Sequence, residues 1–286
     1  MILRSYEFHL RAKNLSPATI KAAREYLSPF LAVHDPYKTT IREVEAWLAD
    51  MSTRCKPSTV WTAWRHLKAF FEWLSLEGDI PTNPMERIRK PLVPTTEVNV
   101  LNAQQSKSLI EACRGKDRDS RRDLAMVSIM LDTGIRLSEL ANLTIDDVSE
   151  DGTLRIFGKG RKWRTVALGG TSQRHLSAWL RSSGITEGPL WIGRKGPMTT
   201  TGIRKMLARR GSTAGLRLHP HMLRHTFVDN WLRNGGSEVD LARIAGWTST
   251  RMAERYARHR ADERAIQAHR NISPMDGLYS AVGRKV

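Results

Sequence analysis

His221 and Arg224, three positions apart, and a later tyrosine, Tyr256, are side chains whose types and spacing could do chemistry. They lie in one stretch, HPHMLRHTFVDNWLRNGGSEVDLARIAGWTSTRMAERY, that runs from His219 to Tyr256. On a helix, positions i and i+3 share a face, so an imidazole and a fork-shaped guanidinium converge on one ligand, and that combination suits a phosphate. A Gly246-Trp247 break follows, and then Tyr256 with Arg255 and Arg258 beside it. A phenol next to such a cluster is a candidate nucleophile.

The composition says what kind of scaffold holds these groups. A chain of 286 residues with 40% hydrophobic content is long enough for two domains, each with its own core. The formal net charge of +17 and a pI of about 10.4 point to a polyanion as partner, because phosphates gather around a surplus of this size. Residues 1–90 carry 14 Lys+Arg against 10 Asp+Glu, which leaves 13 of the 17 excess charges to residues 91–286. The C-terminal two-thirds is therefore expected to face the anion most closely. Two cysteines, Cys55 and Cys113, without CxxC spacing, argue against a disulfide framework or a zinc module and agree with a reducing cytosol. The first residues lack an apolar signal core, and no run approaches the roughly 20 apolar residues of a membrane helix. The protein is expected to be soluble, unprocessed and cytoplasmic.

Residues 1–90 read as helices throughout, a four-helix unit. Ser16-Pro17 marks an N-cap followed by proline at the first helical position, and Ile20, Ala23, Tyr26, Leu27, Phe30 and Leu31 keep one apolar face until Asp35-Pro36. A second helix is expected after Thr39 or Thr40, and a longer one from Pro57-Ser58 to near Gly78. The tryptophans of this unit fall on the apolar stripe and are read as core rather than as base-stacking groups. Between Arg89 and Val100 two prolines and little periodicity indicate an extended linker.

Beyond it, Asn102 caps a helix over 103–114 and another starts at Ser120 or nearby, breaks at Gly134 and restarts through Leu137, with Arg136 just past the break. Thr153–Phe157 and Trp163–Leu168 read as two strands joined by GKGRK. Arg155, Lys159, Arg161, Lys162 and Arg164 make this the most basic stretch, read as a nucleic-acid contact in preference to a charge-protected edge hairpin. Helices resume after Thr199–Thr201, where Arg204, Lys205, Arg209 and Arg210 form a second basic patch.

TGIRLSEL, GKGRK, HMLRHTF and GWTSTRMAERY, in this order and spacing, resemble the signatures of the tyrosine recombinases, also called the phage integrase family. The resemblance implies a mainly α fold with a small antiparallel β-sheet: an N-terminal helical bundle, the core-DNA-binding domain, over 1–88, a linker over 89–100, and an α+β catalytic domain over 101–286 with a tail from about 260. It implies that Arg136 is the first catalytic arginine, Lys159 the hairpin lysine that protonates the leaving 5′ oxygen, His221 and Arg224 the histidine and second arginine, and Tyr256 the nucleophile. Trp247 stands where most relatives carry histidine. The implied partners are double-stranded DNA, clamped between the two domains, and further copies of the chain, four around two duplexes, with an accessory protein as a further candidate partner. The layout resembles the two-domain form without a separate arm-binding domain, and the implied location is a bacterial cytoplasm, or that of a host cell for a phage-encoded protein.

The residue types make chemical sense together. Attack on a phosphodiester builds extra negative charge on the phosphorus oxygens, which two guanidiniums stabilise more than the ground state. A phenol of pKa about 10 needs a base or a positive surround to attack, and His221 is the candidate base. The 5′ alkoxide needs a proton, the role of Lys159. A 3′-phosphotyrosine keeps the bond energy for rejoining, so no cofactor or metal is expected. Competing readings are that Arg136 caps a helix or pairs with Glu139, that Lys162 replaces Lys159, and that Trp247 packs the domain or donates one hydrogen bond to phosphate. A zinc pair from His221 and His225, near His219, is disfavoured by the charge of Arg224 and by the lack of an intervening glutamate. Rival functions are a type IB-like topoisomerase and a catalytically silent DNA-binding protein.

Overall fold

The computed structural model describes residues 2–94, 99–158, 162–250, 252–254, 266, 269–270 and 272–275. The chain divides into two compact units, Met1–Thr96 and Glu97–Val286.

Prolines and hydroxyl side chains set the helix starts of the first unit, which consists of α1 (Ile2–Ala12), α2 (Pro17–Leu31), α3 (Ile41–Arg54) and α4 (Pro57–Leu76). Ser16 accepts a hydrogen bond from the Thr19 amide with Pro17 as first helical residue, and Thr40 forms a capping box with Glu43. α2 ends at Leu31, before the expected Asp35-Pro36. Leu27, Phe30, Val44, Leu67, Phe70, Phe71 and Leu74 are the centre of the core, and Trp73 is buried with them while Trp47 and Trp64 pack at its margin. Trp61 is half-buried under the Arg65 guanidinium, 5.2 Å from the ring centre.

The second unit begins with α5 (Ala103–Cys113), whose Asn102–Gln105 capping box matches the expected start, and α6 (Arg118–Thr133), capped by Asp117, near the start expected at Ser120 or nearby. The short α7 (Leu137–Ala141) follows the Gly134 break. β1 (Thr153–Gly158) and β2 (Lys162–Ala167) pair antiparallel in the register Ile156↔Arg164 and Gly158↔Lys162. The expectation that helices resume only after Thr199 misses α8 (Gly170–Ser183), which packs on α6, and the small hairpin of β3 (Ile192–Gly193) and β4 (Gly196–Pro197). α8 begins at Gly169-Gly170 without a side-chain cap and buries only Ser172, Leu176 and Trp179, so it gives neither a start signal nor a continuous apolar stripe. α9 (Thr200–Thr213), α10 (Pro220–Arg233) and α11 (Glu238–Ala245) follow. Leu109, Met126, Ile129, Leu140, Leu154, Ile156, Trp179 and Trp191 lie in the main core, and a smaller cluster of Phe227, Val228, Leu232, Leu241 and Ala253 joins α10 to α11 and the chain beyond it. Among the described residues no helix is long and apolar enough to cross a membrane.

Candidate active site

Four helix ends build the site. α6 closes on Gly134, whose φ of 59° is a left-handed conformation that a glycine adopts without strain. Two residues on, Arg136 has extended backbone as the N-cap of α7. Its amide donates to Glu139 Oε2 at 2.9 Å, its Nη1 to Glu139 Oε1 at 2.8 Å, and its Nη2 to the Gly246 carbonyl at 3.2 Å. The pairing with Glu139 that competes with a phosphate role is therefore real, and it leaves the Arg136 side chain 24% exposed.

Pro220 at the first position starts α10, which turns His221 and Arg224 onto one face, as their spacing predicts. Arg224 is buried. Its Nη1 donates to the Gly134 carbonyl at 2.6 Å and its Nη2 to the Ala245 carbonyl at 2.7 Å, with the Trp247 ring centre 5.3 Å from its Cζ. Trp247 thus packs against Arg224 from the turn after α11, which Gly246 closes with a φ of 63°.

His221 stands in the first turn of α10 with an exposed edge. Partial desolvation, and then the positive charges of Arg224, Arg136 and Arg204, hold its imidazole below the ordinary histidine value. The shift favours the neutral imidazole, the form that can accept a proton. His221 and His225 sit on successive turns with ring centres 6.2 Å apart, and among the described residues no three His, Cys, Asp or Glu side chains gather to hold a metal.

The basic residues expected to meet DNA separate into two groups. Lys162, Arg204 and Lys205 are exposed. Arg164 is turned inward, with its side chain 11% exposed: Nε donates to the Ile244 carbonyl at 2.8 Å, and Nη1 and Nη2 donate to the two Glu139 oxygens at 3.1 and 2.7 Å. Arg210 likewise turns from the second basic patch to the buried Asp123, which also takes Arg122 and the half-exposed Arg209. Strand alternation carries the signal for Arg164, since it is in phase with the buried Val166 and Leu168 and sits opposite the buried Ile156. Burial alone would raise the Glu139 carboxyl, but the hydrogen bonds from Arg164 and Arg136 and the Arg164 charge hold it below the usual range. Lys159, Arg161 and Tyr256, with its neighbours Arg255 and Arg258, lie outside the described residues.

Residues 99–263 match the phage integrase family, and residues 2–78 match the N-terminal SAM-like domain of phage integrases.

The chain belongs to the phage integrase family.

This recombinase is 30% identical over 259 residues to a tyrosine recombinase of Agathobacter rectalis, covering 83% of this chain and 84% of the relative. It is 30% identical over 250 residues to the tyrosine recombinase XerC of Chromobacterium violaceum, covering 82% of each chain. Its fold is shared with the Tn1549 transposon integrase in complex with transposon right end DNA, at TM-score 0.77 and 19% identity over 95% of this chain and 99% of that one. The lambda integrase dimer bound to a COC' core site superposes at TM-score 0.75 and 18% identity, covering 89% and 93%. The recombinase is a DNA strand transferase that acts in site-specific recombination.

Proposed function

We propose that this recombinase cuts and rejoins DNA through a 3′-phosphotyrosine formed by Tyr256. The observation that carries the reading is the convergence of Arg136 and Arg224 on adjacent carbonyls at the end of α11, with a neutral His221 whose imidazole feels both charges. The Tyr256 oxygen attacks the phosphorus and gives its proton to His221. Arg136 and Arg224 meet the charge that develops on the non-bridging oxygens. The bond to the 5′ oxygen breaks, and that oxygen takes a proton from Lys159. Trp247 packs Arg224 and donates its indole N–H to phosphate. Attack by a new 5′ hydroxyl on the phosphotyrosine reverses the steps, so the ligation draws on no external energy source.

In this reading residues 1–88 bind the core DNA site, residues 101–286 catalyse, and four protomers assemble on two duplexes. Exposed Lys162, Arg204 and Lys205, with Arg161, serve phosphate contacts, so affinity falls steeply with salt. The biological role favoured is integration and excision of a phage or mobile element, because Ala245-Gly246-Trp247 replaces the leucine-glycine-histidine triplet of the Xer type. The XerC identity across most of both chains supports a second reading, resolution of chromosome dimers.

A suicide substrate that traps the covalent intermediate tests the mechanism. Wild type should give a denaturation-resistant protein–DNA adduct that Tyr256→Phe does not. An adduct that persists in the variant would place the nucleophile elsewhere.

A further inference from the structure

Three consecutive carbonyls at the end of α11 each receive a different arginine: Ile244 takes Arg164, Ala245 takes Arg224 and Gly246 takes Arg136. The last carbonyls of a helix have no intrahelical partner and carry the negative end of its dipole, so they are natural acceptors for guanidinium groups. Two of the three arginines are the proposed phosphate ligands. The third reaches across from β2 and connects the others.

Arg164 uses Nε on α11 and both Nη atoms on Glu139, whose two oxygens also hold the Arg136 amide and Nη1. Glu139 is thus gripped from both sides, and Arg136 cannot move relative to α11 without disturbing Arg164. Two glycines border the same ion pair. A Cβ on Gly158 would lie 3.0 Å from Arg164 Nη1 and 3.2 Å from Glu139 Oε1, and a Cβ on Gly246 would lie 3.1 Å from Arg164 Nη1. Gly158 immediately precedes Lys159, and Gly246 immediately precedes Trp247.

We propose that Arg164 is a positioning residue for strand cleavage, one that sets Arg136 through Glu139, fixes the end of α11 and anchors the β1–β2 hairpin to it. The inference rests on the recombinase mechanism proposed above. It removes Arg164 from the DNA-contacting set, because Nε, Nη1 and Nη2 all donate within the protein, to Ile244 and Glu139.

The test compares wild type, Arg164→Lys, Glu139→Gln and the double variant in the full-length chain. Duplex affinity is measured across a salt series, and single-turnover cleavage of a suicide substrate at saturating protein. Lysine keeps the charge but cannot serve Glu139 bidentately and the Ile244 carbonyl at once. Arg164→Lys should therefore bind DNA with wild-type affinity and salt slope while cleaving about a hundredfold more slowly, the scale of an ångström-level misplacement. The double variant should be no slower than the worse single variant, since both break one unit. Gly158→Ala, which crowds the pair without altering any charge, should slow cleavage in the same way, and it carries the test if Arg164→Lys does not fold. Wild-type cleavage by Arg164→Lys, or by Gly158→Ala where the lysine variant does not fold, would overturn the inference. So would a salt slope reduced by about 0.9, the value for one lost phosphate contact, in Arg164→Gln, which removes the charge that lysine keeps. Absence of an adduct from wild type itself would instead bring down the recombinase mechanism.

Discussion

Arg136 and Arg224 draw on neighbouring acceptors: Arg224 Nη2 donates to the Ala245 carbonyl at 2.7 Å and Arg136 Nη2 to the Gly246 carbonyl at 3.2 Å. One peptide unit therefore sets the spacing of the two guanidiniums. Replacing either arginine by alanine should lower the cleavage rate by about a hundredfold to a thousandfold, the usual cost of removing one transition-state donor. Arg224→Lys should not restore activity, because an ammonium cannot reach both Gly134 and Ala245 in the fork geometry. Single-turnover cleavage checks this, and a fully active lysine variant would contradict it.

Gly246 and Gly184 form a matched pair for a second prediction. Both have a left-handed backbone, with φ of 63° and 66°, but a Cβ at Gly184 meets nothing within 4 Å whereas one at Gly246 meets Arg164. Alanine at either position should cost about 1–2 kcal/mol of stability, seen by thermal melting. Only Gly246→Ala should slow cleavage beyond that loss.

The depressed His221 gives a pH signature. Because the folded protein holds this imidazole below its ordinary value of 6.5, it remains a proton acceptor below that pH. The acidic limb of kcat/KM, which reports the free enzyme, should lie below 6.5 and disappear in His221→Gln. The linked effect on stability has the same origin: the unfolded chain binds a proton more readily than the fold, so His221 lowers stability as pH falls through 6.5. An acidic limb above 6.5 in wild type would count against His221 as the base.

Asp123 supplies a contrasting, purely structural test. Its carboxylate is fully buried and accepts from Arg122, Arg209 and Arg210. Asp123→Asn should cost about 3–5 kcal/mol, the penalty for leaving buried charges uncompensated. Denaturant unfolding would measure it. Cleavage by the fraction that remains folded should match wild type.

The sequence was most legible where one residue type has one strong local meaning. Ser16, Thr40 and Asn102 start helices as expected, and the i, i+3 spacing of His221 and Arg224 places both on α10. α8 was hidden because a glycine start and a sparse apolar face offer little local signal, and its place is decided by packing on α6. Charge density groups Arg164 with its basic neighbours as a DNA contact, since it outweighs strand phase in a short hairpin. Its alternation with Val166 nevertheless marks the inward face. No local pattern indicates that Glu139 binds two arginines at once, because the second comes from β2 and is brought near only by the fold.

The anchors at the end of α11 are main-chain oxygens, and this gives the site an unusual genetic profile. A point substitution at Ile244 or Ala245 changes a side chain but leaves the acceptor in place. Loss or gain of a single residue there shifts all three carbonyls by one position and sends every arginine to the wrong partner. In a library of random lesions, substitutions at the half-buried Ile244 should survive where a change in length does not, while the buried Ala245 and the left-handed Gly246 are restricted by their own packing.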